Sequence, residues 1–174
     1  EHETDPHVWL STDNARIIAS ALAGALIKLD PPHASDYARN LSRLDDSLRL
    51  LDRDIRDMLT GVNQTPFVLL HDAFQYFEKA YDLHPVGALE NRAVGGVSAK
   101  QLRSLEVVIR ERAIRCIAAD PFGASAVAKS VSQTQTMKLV RLDPMGQSIA
   151  PGPGHYQAMM RANAEALASC LRLG

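Results

Sequence analysis

Pro66-Phe67-Val68-Leu69-Leu70-His71-Asp72-Ala73-Phe74-Gln75-Tyr76-Phe77 is the stretch whose reading decides the fold. Four consecutive apolar residues, set between a proline and polar side chains, read as a strand buried on both faces. Asp72 is placed to cap a helix running to about Tyr81. Downstream the same unit recurs. Pro85-Val86-Gly87-Ala88-Leu89 reads as a weaker strand, and Ser98 with Gln101 forms a capping box. Leu102, Leu105, Val108 and Ile109 give the helix after it an apolar face. Cys116-Ile117-Ala118-Ala119 is a third strand, and a short helix is expected near Ala124 to Ser130, after Pro121. Met137 to Leu142 is a fourth strand, Gly152-Pro153-Gly154 a loop, and His155 to Leu171 a final helix. Strand and helix alternate four times, which predicts an α/β fold: a four-stranded parallel sheet flanked by helices on both faces.

Upstream of Pro66 the period changes. Ser11-Thr12-Asp13-Asn14 offers N-caps, and Ile18, Leu22, Ala25, Leu26 and Leu29 follow at helical spacing. Pro31-Pro32 ends that helix. From about Ser35 to Gly61, Tyr37, Leu41, Leu44, Leu48, Leu51, Ile55 and Met58 step by fours and threes, which is a heptad seam. A helix of that length reaches roughly 35–40 Å. It reads as a coiled-coil dimer helix or as a strut joining two domains, and the rest of the chain favours the strut.

The chain has 174 residues with a formal net charge of −1, so it lacks the cationic excess of a nucleic-acid binder. No apolar run approaches the length of a membrane span. Cys116 and Cys170 lie far apart. They read either as one disulfide, which would place the protein outside the cytosol, or as two buried thiols, the reading composition alone favours.

Ligands of open parallel sheets bind outside the carboxyl ends of the strands. His71 directly follows the first strand and Asp143 the fourth, on one edge of such a sheet. His7, in Asp5-Pro6-His7-Val8-Trp9, precedes the first helix. Two imidazoles and a carboxylate suit Zn²⁺. Each residue also has a plain structural reading: His71 as a helix cap, Asp143 before Pro144 as a turn residue, His7 as a surface imidazole. His2, His33, His84 and His155 read as surface or structural. There is no nucleophile elbow, no H-E-x-x-H and no P-loop.

With those residues in view, a family resemblance emerges. Asp5-Pro6-His7-Val8-Trp9-Leu10-Ser11, His71-Asp72-Ala73-Phe74-Gln75-Tyr76-Phe77 and Leu142-Asp143-Pro144-Met145-Gly146 resemble, in order, three motifs of the metal-binding proteins that feed bacterial ABC importers. The helix opening His155-Tyr156-Gln157-Ala158-Met159-Met160 is also similar to theirs. The zinc-uptake (ZnuA-type) branch fits best: its second and third histidine ligands match His7 and His71, and Asp143 matches the aspartate that completes or flanks the site. Cys116 and Cys170 resemble the paired cysteines of that branch, which the manganese branch lacks. The resemblance implies that they are joined, against the lean from composition.

It also implies the C-terminal half of a two-domain protein. Residues 1–34 would be the remnant of an N-terminal domain that carries the first histidine ligand, 35–61 the long interdomain helix, and 62–174 the C-terminal α/β metal-binding domain. The implied function is periplasmic, non-enzymatic capture of Zn²⁺ and its delivery to a membrane ABC permease. A manganese or other divalent-metal binding protein, a metal-dependent hydrolase and an adhesion protein are the alternatives. The shortened chain is expected to self-associate through its first two helices.

Overall fold

The computed structural model of the chain describes residues 5–90, 99–119, 131, 133 and 137–172. Ser98 of the expected capping box, the helix expected over 124–130 and His2 fall outside them.

Helix α1 spans Thr12–Leu29 and is capped by Ser11, whose hydroxyl accepts from the Asn14 N–H. A 3₁₀ turn, Pro31–His33, reverses the chain into α2, Ala34–Leu59. The two helices lie side by side. Arg16 on α1 pairs with Asp45 on α2 at 2.6 Å, and the Thr12 hydroxyl donates to Asp52 at 2.8 Å.

The sheet has four parallel strands: β1 Phe67–His71, β2 Pro85–Glu90, β3 Cys116–Ala119 and β4 Lys138–Arg141. Their spatial order is β2-β1-β3-β4. β1 is therefore paired on both sides, which explains its unbroken apolar run. Helices α3, Gln75–Tyr81, α4, Ala99–Glu111, and α5, His155–Leu171, complete the described elements. Alternate strand residues feed two cores, as a period of two requires. Phe67, Leu69, Cys116 and Ala118 pack with α2, α3 and α5, whereas Val68, Leu70, Ile117 and Ala119 pack with Ile109 of α4, Ile114, Val131 and Met137. Helices thus cover both faces, as the alternation predicted.

One expectation is corrected in detail. α3 begins at Gln75, not beside Asp72. The Ala73 N–H turns back to the His71 carbonyl at 2.9 Å, and the Asp72 carboxylate takes the Gln75 side-chain amide instead of a backbone N–H. The seam of α2 is consumed within the chain, because Leu48, Leu51, Ile55 and Leu59 are all buried in the same core as Phe67 and Phe77. Only its N-terminal half, with Leu44 37% exposed, lies outside that core. The second half of α2 is therefore a wall of the α/β unit.

Cys116 and Cys170 form a disulfide, with Cα atoms 5.4 Å apart, tying β3 to α5. Among the described residues no helix is long and apolar enough to cross a membrane.

Candidate metal centre

The strand order supplies the location. From β1 the chain steps to β2 on one side and then to β3 on the other, so the direction of winding switches at β1. Such a switch opens a crevice at the carboxyl ends of the strands, and His71 is the last residue of β1.

His7 arrives there on a tight loop. The Val8 N–H donates to the Pro6 carbonyl at 2.8 Å, the His7 N–H to Asp5 Oδ1 at 3.0 Å, and the Leu10 N–H to the His7 carbonyl at 3.1 Å. His7 Nδ1 lies 2.7 Å from the same Asp5 oxygen. The two rings meet edge to face, with centroids 6.1 Å apart and planes at 86°. Two imidazoles on one tetrahedral zinc, at Zn–N distances of about 2.0–2.1 Å, would set their centroids about 5 Å apart. The observed centroid separation exceeds that by about 1 Å.

Asp143 stands in the adjoining loop. The Trp9 indole N–H donates to the Pro144 carbonyl at 2.9 Å, and the Tyr156 hydroxyl to the Trp9 carbonyl at 2.7 Å, so the His7 segment is stapled to the Asp143 loop and to α5. The Asp143 carboxylate faces its own loop, accepting from the N–H groups of Met145 at 3.0 Å and Ser148 at 3.3 Å. The structure therefore brings the His7 and His71 rings together, while Asp143 lies in a loop tied to the His7 segment through Trp9 and has its oxygens engaged by its own loop. Among the described residues no group of three or more His, Cys, Asp or Glu side chains is arranged to hold a metal ion.

Sequence reading missed several supports. Asn163, 2% exposed on α5, accepts from the Asp143 N–H at 2.7 Å and donates to its carbonyl at 2.9 Å. An asparagine on a buried helix face was the available signal. Gly146 has φ +66°, and a Cβ there would fall 2.6 Å from His155 Nε2, so the glycine ending the Leu142–Gly146 motif is sterically required. His155 packs on that loop, and His33 and His84 are exposed beside Asp30 and Asp82, in keeping with structural or surface roles. The Glu78 carboxyl is pushed up to about 7 by burial first, then by Asp72 and Asp5. Among the described residues, Asp5 Oδ2 and Glu78 Oε1 are buried without a hydrogen-bond partner. A buried Asp5 oxygen on the carboxylate that holds His7 Nδ1 suits a neighbouring cation.

The chain is similar to known proteins. The family model described as the periplasmic zinc-uptake complex component A (ZnuA) matches residues 1–170. The high-affinity zinc uptake system protein ZnuA of Paracoccus denitrificans is 31% identical over 169 residues, 97% of this chain and 52% of that protein. Its counterpart in Brucella abortus is 29% identical over 169 residues, again 97% of this chain and 51% of the relative. A crystal structure of ZnuA superposes with a TM-score of 0.85 at 22% identity, over 96% of this chain and 62% of that one, a likeness of fold. The chain spans about half the length of the curated relatives it matches.

Proposed function

This chain belongs to the family of periplasmic zinc-uptake components, and from that premise we propose that it is the metal-holding part of a protein that captures Zn²⁺ outside the cytosol and delivers it to a membrane ABC permease. Its work is capture and release, with no bond of a substrate made or broken. Residues 1–34, 35–61 and 62–174 act respectively as the approach to a partner domain, the connecting helix and the metal-binding unit. The observation that carries the reading is the meeting of His7 and His71, from segments 64 residues apart, at the carboxyl edge of the sheet.

His7 and His71 supply neutral imidazole nitrogens. Asp143 completes or flanks the set, and to ligate it must exchange the Met145 and Ser148 N–H groups for the ion. Two imidazoles favour zinc over manganese, a harder ion that prefers oxygen. The Cys116–Cys170 disulfide supports a location in an oxidising compartment.

Titration calorimetry with Zn²⁺ and Mn²⁺ tests this. Zinc is expected to bind more tightly than manganese, and His71→Ala to weaken zinc at least tenfold, the loss expected when one ligand is removed. Unchanged zinc affinity in His71→Ala would remove the assignment, and preference for manganese would move the chain to the other branch.

A further inference from the structure

The hydrogen bond that holds His7 carries an inference beyond the ligands themselves. We propose that Asp5 is a positioning residue for the metal site: it takes the proton on His7 Nδ1 and so presents His7 Nε2, with its lone pair bare, to the incoming cation. This rests on the reading of His7 as a ligand.

An imidazole has two nitrogens, and the neutral ring ligates through the one without a proton. Which nitrogen that is depends on the hydrogen bond made by the other. Asp5 Oδ1 sits 2.7 Å from His7 Nδ1 and also accepts the His7 N–H at 3.0 Å. A carboxylate only accepts, so this contact requires the proton on Nδ1. Both side chains are 9% exposed, and water competes little for the bond. The geometry is preformed by Pro6, whose ring limits φ between the two partners, and by the Val8 N–H closing onto the Pro6 carbonyl. On the other side Trp9 packs against the imidazole at 5.4 Å between centroids, and its indole is itself anchored to Pro144. The ring is held in tautomer by Asp5 and in orientation by Trp9.

The choice of a carboxylate over a backbone carbonyl also matters. Its negative charge raises the donor strength of the imidazole and offsets part of the charge of a divalent ion. The second oxygen, Oδ2, is buried with no hydrogen-bond partner among the described residues. A residue serving only to hold the turn has no need to bury that charge, since an asparagine would accept the His7 N–H equally well.

The test separates positioning from folding and from ligation. In the metal-free 174-residue chain, long-range ¹H–¹⁵N correlation spectra should show His7 protonated at Nδ1, and Asp5→Ala should shift it toward the Nε2–H form that predominates in free imidazole side chains. Zinc affinity should fall by about 10- to 100-fold in Asp5→Ala and in Asp5→Asn, with the Asp5→Asn melting temperature unchanged. His7 found as the Nε2–H tautomer in the unsubstituted chain overturns the proposal, whatever zinc does. So does full zinc affinity in both Asp5 variants when His7→Ala loses it. If His7→Ala itself binds zinc normally, the ligand reading fails and the positioning role fails with it, even if the tautomer is as stated.

Discussion

Glu78 sits in the first turn of α3 with Oε1 buried and unpartnered among the described residues. Burial, then the charges of Asp72 and Asp5, push its carboxyl up to about 7 from an ordinary 4.5. In the fold the group therefore keeps its proton at pH values where the unfolded chain has lost it. Its effect on stability is most favourable below about 4.5, declines as pH rises toward about 7, and is level above that. Glu78→Gln removes the decline. In metal-free protein the variant should gain about 1–2 kcal/mol relative to the parent between pH 5 and pH 8, after allowing for partial exposure of the carboxyl. Thermal melts across that range check it, and parallel profiles for the two proteins would contradict it. Residues of this kind were the least legible in the sequence. His7, His71 and Asp143 stood out because motif and strand end marked them. The roles of Asp5, Glu78 and Asn163 depend on burial against other segments, and no local spacing announces that.

At the scale of elements, β1 and β3 were legible because a strand buried on both faces is a short, bounded apolar run, whereas β4, an edge strand with charged ends, is only partly buried. The start of α3 was not, because Ala73 and Phe74 are tucked into the core before the helix begins. Nor was the use of the α2 seam: a heptad shows that a helix has an apolar stripe, not what covers it, and here α5 and the sheet cover its second half. The disulfide joins two of these elements across a sequence separation of 54 residues. Chain-entropy arguments give it about 4 kcal/mol, an upper figure for most proteins. Thiol titration of protein purified from an oxidising compartment, denatured without reductant, should find none free, and reduction should lower the melting temperature. Two free thiols per chain would refute the pairing.

Taken whole, the molecule is well covered on its sheet and bare along one helix. Ile18, Leu22, Leu26 and Leu29 of α1 are 38%, 59%, 43% and 82% exposed, an apolar stripe of the kind that marks an interaction surface. On its own, this chain should therefore self-associate, most simply as a two-fold dimer through α1, and Leu22→Glu should return it to monomer. Light scattering at micromolar concentrations decides it, and a monomeric parent would show that the stripe is tolerated in water. The central claim, that zinc is held by imidazoles from two distant segments, is tested most directly by X-ray absorption at the zinc edge on the zinc-loaded chain. The account predicts nitrogen and oxygen neighbours at about 2.0–2.1 Å, with the outer-shell scattering of two imidazole rings, reduced to one in His71→Ala. A zinc spectrum without imidazole scattering would contradict it.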